Sequence, residues 1–435
     1  MKLARSLAFA AYVGALFCEA RAEWRLIRDA EIEETLNKIA GSIFHVAGLR
    51  SEFARVYVLH SETINAFTIG GGYIFVTSGL LLRFENLLHL IGVLCHEAGH
   101  IAAGHVERHA YLLQQRSNNF MIAMLASILG MSLAGSPDAI ALLLGYGLTD
   151  ERFYLKFSRG EELAADALAA SYLKKLGYDV DALIGALQIF QRMDILNGGV
   201  NLPIYVLTHP KINDRIAALY RYSKFMKYEP DEATSRKYKR ILIKLRAHLA
   251  QKNQFAEIPK DDYSKAIYHH HSGKSSEAII LLRNLVRKNP DDIYYKEALA
   301  QVLYESGDLK ESIKMYKQIY SNNINILIKI DYANALIEAN QDIDEAIKIL
   351  ESAKYSTHLD SDVFRSLAKA YGKKKKEGLA FLMLAQEQIM LQNYAAAHEL
   401  LTNSLDKMNK KIDSSHFKKA KYLKELLERD YGQQK

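Results

Sequence analysis

The sequence is poor in proline and cysteine, with six and two in 435 residues. So few prolines exclude a long proline-rich linker. Cys18 falls in an N-terminal segment described below, which leaves Cys95 alone if that segment is removed. A single thiol cannot form an intramolecular disulfide, so a disulfide-stapled scaffold is excluded. No apolar run reaches the roughly 20 residues that a membrane-crossing helix needs. A large excess of one charge is also missing. The formal net charge of +7 is mild for this length and does not mark a dedicated nucleic-acid binder. About half the residues are apolar and a quarter are charged, which is globular composition. The length allows two or three domains.

The chain opens with the pattern of an export signal over residues 1–22. Lys2 and Arg5 give a positive start, an apolar run spans Ser6 to Phe17, and Ala20-Arg21-Ala22 fits a small-x-small cleavage site. Cleavage is expected after Ala22. Leu16 and Phe17 are too bulky to precede a lipid-accepting cysteine, so Cys18 is not expected to be lipidated. Export without disulfides fits a bacterial envelope protein better than a small extracellular scaffold.

Beyond the signal, Ile32, Leu36, Ile39 and Ile43 recur on one face of a helix within residues 27–48. Three β-like runs follow at Arg55–His60, Asn65–Ile69 and Tyr73–Thr77, the last two separated by Gly70-Gly71-Gly72. A helical segment covers about Asn86 to Gln115. Residues 120–146 are strongly apolar and broken by Gly135-Ser136-Pro137-Asp138. They read as an apolar helical hairpin that either packs within the domain or touches a membrane or an apolar partner. Further helices are expected over Gly160–Leu176, Asp181–Leu196, Pro210 into the 220s, and Glu232–Gln251. A domain boundary is expected near Pro259, giving domains at 23–255 and 256–435.

The second domain carries an internal repeat. Ser272-Gly273-Lys274-Ser275-Ser276-Glu277-Ala278-Ile279 returns 34 residues later as Ser306-Gly307-Asp308-Leu309-Lys310-Glu311-Ser312-Ile313, and again around Asp344-Glu345-Ala346-Ile347. Ala278, Ser312 and Ala346 are small where two helices must approach closely. This period is the signature of tetratricopeptide repeats. The matching segment at Tyr394–Ala397 is out of phase, and an extra helix over about Glu377–Leu391 would account for it. The lysine run Lys373–Lys376 reads as a solvated loop, or as a contact for an acidic partner. His269-His270-His271 reads as surface, since neighbouring residues on a helix point different ways.

The segment that carries chemistry is His96-Glu97-Ala98-Gly99-His100. On a helix, residues four apart share a face, so His96 and His100 can hold one zinc ion. Glu97 beside them can take a proton from an attacking water and hand it to a leaving amine. Such a site needs a third protein ligand and an open position. Glu162 and Asp166 are also four apart, at the start of a helix. Glu162 can ligate zinc, and Asp166 can brace a ligand histidine from behind. Glu161 lies five residues from Asp166 and does not fit the ligand position. His105 and His109 continue the face of the zinc helix, and His105 is expected to support rather than ligate. A strand exposed over Asn65–Thr77 could pair with an extended substrate segment.

Together these pieces resemble the HtpX/BepA-type zinc peptidases, and among them the periplasmic BepA-like members. The resemblance rests on Asn65-Ala66-Phe67, Gly71-Gly72-Tyr73-Ile74-Phe75-Val76-Thr77 and Gly79-Leu80-Leu81. It continues through His96–His100, His105, Ser158-Arg159 to Glu162 and Asp166, then Thr208-His209-Pro210 with Arg215-Ile216. It implies an α+β zinc metallopeptidase fold of the gluzincin type, followed by an all-α tetratricopeptide-repeat solenoid. It implies one zinc ion per chain held by His96, His100 and Glu162, with Glu97 as the base. His209 would either stabilise the oxyanion or cover the metal as a gate. The implied activity is that of an endopeptidase and chaperone in outer-membrane protein assembly and quality control. Its substrates would be misassembled outer-membrane proteins, and its partner the β-barrel assembly machinery, reached through the repeats. The alternative is a repeat-based chaperone or scaffold whose zinc site is mostly shut.

Overall fold

The computed structural model describes residues 25–50, 54–68, 72–109, 157–196, 205, 208–223, 229–250, 260–321, 324–354, 361–391, 393–410 and 413–431. The expected signal at 1–22, the apolar hairpin at 120–146 and the boundary near Pro259 lie outside them.

The first half is a small sheet wrapped by helices. Strand β1 (Arg25–Ile27) leads into α1 (Ala30–Val46), followed by β2 (Arg55–His60), β3 (Ala66–Thr68) and β4 (Tyr73–Thr77). The sheet order is β1-β2-β4-β3, with β2 and β4 parallel and both outer pairs antiparallel. All five residues of β4 are buried, which suits a strand with neighbours on both sides. Helix α1 starts where the Asp29 side chain accepts from the Ile32 amide, and it packs Ile32, Leu36, Ile39 and Ile43 inward as their spacing predicts.

Thr77 caps the short α2 (Ser78–Arg83), and Asn86 caps α3 (Leu87–Ala102). Helix α3 packs against α4 (Arg159–Leu176) and α5 (Asp181–Leu196), with α6 (Ile212–Leu219) closing over both of those. Two glycines make the packing of α3 this close. A Cβ on Gly92 would lie 2.6 Å from the Leu183 amide nitrogen, and one on Gly99 would lie 2.9 Å from the Ala165 carbonyl oxygen. The helix expected to run to Gln115 instead breaks at Ala103-Gly104, where Gly104 turns with φ +64, and resumes over 105–109.

The second half is helical. After α7 (Glu232–Leu249) come α8 (Asp262–His271), α9 (Ser275–Lys288), α10 (Ile293–Glu305), α11 (Leu309–Ile319), α12 (Ile326–Glu338) and α13 (Ile343–Ala353). They continue as α14 (Asp362–Lys373), α15 (Glu377–Met390), α16 (Tyr394–Lys407) and α17 (Ser414–Tyr431). Each packs on its chain neighbour, so one apolar core runs through the row. Ala278, Ser312 and Ala346 are fully buried at the crossings. Lys373 ends α14, and Lys374–Lys376 form the exposed turn after it, from which Lys374 reaches Asp344 at 2.8 Å. His269 and His270 are half-buried, and His271 lies 2.6 Å from His248. Among the described residues no helix is long and apolar enough to cross a membrane.

The halves meet over charged side chains. Helix α7 packs on α1 on one side and α8 on the other. Lys244 lies 2.7 Å from Asp29, 3.4 Å from Glu31 and 3.8 Å from Glu297. Arg240 pairs with Glu31 and Asp292, and its guanidinium lies 4.2 Å from the Tyr295 ring centre. Tyr263 donates to Glu31 at 2.8 Å, and Asn325 donates to the Ala30 carbonyl.

Candidate metal centre

Helix α3 presents His96 and His100 on one face, with their Nε2 atoms 3.0 Å apart. Helix α4 approaches that face because Gly99 carries no side chain, and it brings Glu162. The Glu162 carboxylate lies 3.6 Å from His96 Nε2 and 3.4 Å from His100 Nε2. His209 joins from the segment before α6, its Nδ1 3.0 Å from Glu162 and 3.4 Å from His96 Nε2. One donor atom from each of these four buried residues lies within 4.8 Å of the others.

The acidic helix is positioned by its own start. Ser158 and Glu161 form a reciprocal capping box, and Glu161 also pairs with His109 at 3.1 Å. Glu161 is therefore spent on the cap, while Glu162, one residue on, points at the histidines. A turn further, Asp166 sits 2.9 Å from His96 Nδ1. His105 Nδ1 lies 3.0 Å from His100 Nδ1. Each histidine of the pair is thus held from behind by a different group.

Arg215, quoted above only as part of a motif, has a large part in this centre. Fully buried, it donates from Nε and Nη2 to the two Asp166 oxygens at 2.8 Å each, and its Nη1 lies 2.7 Å from Glu162. It ties the bracing carboxylate to the ligating one. Aromatic rings line the rest. Phe157 stacks on His100 at 3.8 Å, and Tyr205 stacks on His209 at 4.4 Å. Neither aromatic carries a motif, and both reach the site only through the fold.

Protonation states suit a cation. Burial, then the Arg215 charge, lowers the pKa of His96; burial holds His100 well below its usual range. Both rings are neutral, as ligands must be. Burial alone would raise Glu162, but Arg215 and His209 outweigh it and hold it well below the usual carboxylate range. Burial pushes Glu97 up to about 7, near where a proton shuttle works best. His209 is raised despite burial, because Glu162 and Glu97 face it. Burial holds the Tyr205 phenol well above its usual range, so it remains a donor. Among the described residues Glu97 makes no hydrogen bond through either oxygen, and His209 Nε2 makes none. Two neutral imidazoles, a carboxylate and uncommitted polar atoms beside them fit one zinc ion with an open position.

Residues 26–223 match the model of peptidase family M48. The chain is a zinc metallopeptidase. It is similar to the beta-barrel assembly-enhancing protease of Yersinia pestis, at 24% identity over 368 residues, covering 80% of this chain and 74% of that one. A putative beta-barrel assembly-enhancing protease of Vibrio cholerae is 27% identical over 332 residues, covering 72% and 67%. Human mitochondrial metalloendopeptidase OMA1 is 29% identical over 170 residues, covering 38% of this chain and 32% of that protein.

One expectation about this metallopeptidase needs correction. Strand β4 is not exposed: β2 and β3 flank it, and Ile74 and Val76 are fully buried. The outer strand beside α3 is β3, so any extended segment added to this edge would pair there.

Proposed function

We propose that the chain is a periplasmic zinc endopeptidase that acts in outer-membrane protein assembly and quality control, cutting misassembled β-barrel proteins. In this reading His96, His100 and Glu162 hold zinc. Zinc, when bound, supplies Lewis acidity that polarises the scissile carbonyl. Glu97 takes the proton of the attacking water and delivers it to the leaving nitrogen. Asp166 orients His96, and Arg215 fixes Asp166 against Glu162. The helices after α7 are tetratricopeptide-type repeats in a domain from about 256 onward, a platform for clients and for the β-barrel assembly machinery. Support for the setting comes from the similarity to beta-barrel assembly-enhancing proteases, which extends past the peptidase domain. The observation that carries the enzymatic reading is the Glu97 carboxylate. It is buried, has no hydrogen-bond partner among the described residues, and stands beside two neutral histidines.

The test is metal content with cleavage. The mature protein should bind one zinc, and His96→Ala and Glu162→Ala should lose it. Glu97→Gln should keep zinc while cleavage of denatured casein falls about 10²–10⁴-fold. A zinc-free wild type, or a Glu97→Gln variant of full activity, defeats the reading.

One observation favours a second reading, a chaperone with a self-inhibited site. His209 Nδ1 lies among the ligand atoms, where it can act as a fourth ligand and gate. Full rescue of cells lacking the protein by Glu97→Gln would favour that reading.

A further inference from the structure

Tyr205 lies in the metal centre and has no part in the chemistry above. Its ring is sandwiched between Phe190, 3.9 Å away with planes 6° apart, and the His209 imidazole at 4.4 Å. The backbone turn fixes both rings, because the Tyr205 carbonyl accepts from the His209 amide at 2.8 Å and from the Thr208 hydroxyl. The side chain is fully buried, and its hydroxyl has no hydrogen-bond partner among the described residues. Burying a hydroxyl without a partner costs stability. Phenylalanine would fill the same stack without that cost. Both Glu97 oxygens and His209 Nε2 share the condition among the described residues; His209 Nε2 lies 3.7 Å from Glu97 Oε1, and the Tyr205 phenol stands in the field of Arg215, Glu97 and Glu162. Polar groups buried in one centre without hydrogen bonds are candidates to meet a ligand.

We propose that Tyr205 is a catalytic residue whose O–H donates a hydrogen bond to the scissile carbonyl oxygen as that oxygen becomes anionic. This rests on the peptidase reading. The water oxygen bonds to the carbonyl carbon, and the carbonyl π pair moves onto oxygen. The water proton goes to Glu97. Tyr205 keeps its own proton and contributes only a hydrogen bond, stronger to the anionic oxygen than to the neutral carbonyl. When the C–N bond breaks, its pair leaves with nitrogen, the oxygen's pair re-forms the C=O bond, and nitrogen takes the proton from Glu97. Acid and amine account for every atom of peptide and water.

Tyr205→Phe in the full chain tests this. On a fluorogenic peptide spanning a bond cut in casein, kcat should fall about 10²–10³-fold, the loss typical of one oxyanion donor. KM and zinc content should hold, and the thermal midpoint should stay level or rise, since an unpaired hydroxyl is removed. Affinity for a phosphinic peptide, an uncleavable tetrahedral analogue, should fall with kcat. Affinity for the amide peptide, compared between Glu97→Gln and Glu97→Gln/Tyr205→Phe, should not change. Unchanged kcat and analogue affinity overturn the proposal. So does a loss of zinc or of thermal stability, which would make the phenol structural. A zinc-loaded wild type that cuts nothing removes the peptidase reading and this inference with it.

Discussion

The protein buries two charged clusters, and they balance their charge differently. At the metal centre Glu97, Glu162 and Asp166 face one guanidinium, Arg215. At the junction between the halves Asp29, Glu31, Asp292 and Glu297 face two cations, Lys244 and Arg240. Each has more carboxylates than cations. The first has the donor atoms for a divalent ion and a carboxylate, Glu97, that makes no hydrogen bond among the described residues. No such donor set gathers at the second among the described residues, and burial pushes Glu297 up to about 8, so a proton takes up part of the excess. Buried charge at the first is chemistry held ready. At the second it joins two helical bodies, because breaking the joint would strand charges away from water.

If that contrast is right, damage to each cluster should show in a different measurement. The largest effect belongs to Lys244→Met. The aliphatic stem is kept, but Asp29, Glu31 and Glu297 lose the cation they share. Removing one partner of a buried ionic group costs roughly 3–5 kcal/mol, so the first thermal transition should fall by many degrees. Zinc content per folded chain should hold. A variant as stable as wild type would mean that the junction is not a joint.

A smaller effect should follow Asp166→Ala, with the opposite signature. His96, His100 and Glu162 remain, but His96 loses the carboxylate at its Nδ1 and Arg215 its bidentate acceptor. Groups that orient a ligand are worth about 10–100-fold in metal affinity. Competition with a chelating dye should show that loss while the junction, read as the metal-free thermal midpoint, changes less than in Lys244→Met. Wild-type zinc affinity would break the link drawn from Asp166 to His96.

These two clusters were not equally legible in the sequence. Fixed helical spacing betrays the metal centre, since His96 with His100 and Glu162 with Asp166 each need only one helix turn to share a face. Arg215 could be quoted but given no role, because its partners are 49 and 53 residues away and its burial comes from packing of α6 on α4. Phe157 and Tyr205 carry no pattern at all. The junction left no signal either. Lys244 sits in a charged helix with nothing to single it out, and it is buried where α1 and α10 bring Asp29 and Glu297 to it. The sheet was partly legible. The β2, β3 and β4 runs were visible by residue type, whereas three-residue β1 and the inner place of β4 depend on pairing.

The smallest effect sharpens the comparison by asking whether a proton does take up the junction's excess charge. Burial, opposed by Lys244 and reinforced by Asp29, raises Glu297 from its ordinary value of 4.5 to about 8. Between those values the folded chain keeps a proton that the unfolded chain has released, so this group's contribution is full below pH 4.5 and is lost as pH rises through about 8. Glu297→Gln imitates the protonated form at every pH. Its thermal midpoint should match wild type near pH 5 and exceed it by a growing margin toward pH 8.5, with both chains metal-free so that the zinc ligands do not contribute. A constant offset across the range would show that Glu297 titrates alike folded and unfolded. A margin that grows toward acid would show that it is held as a carboxylate by Lys244, making the junction an ion-paired joint like the one Arg215 forms with Asp166.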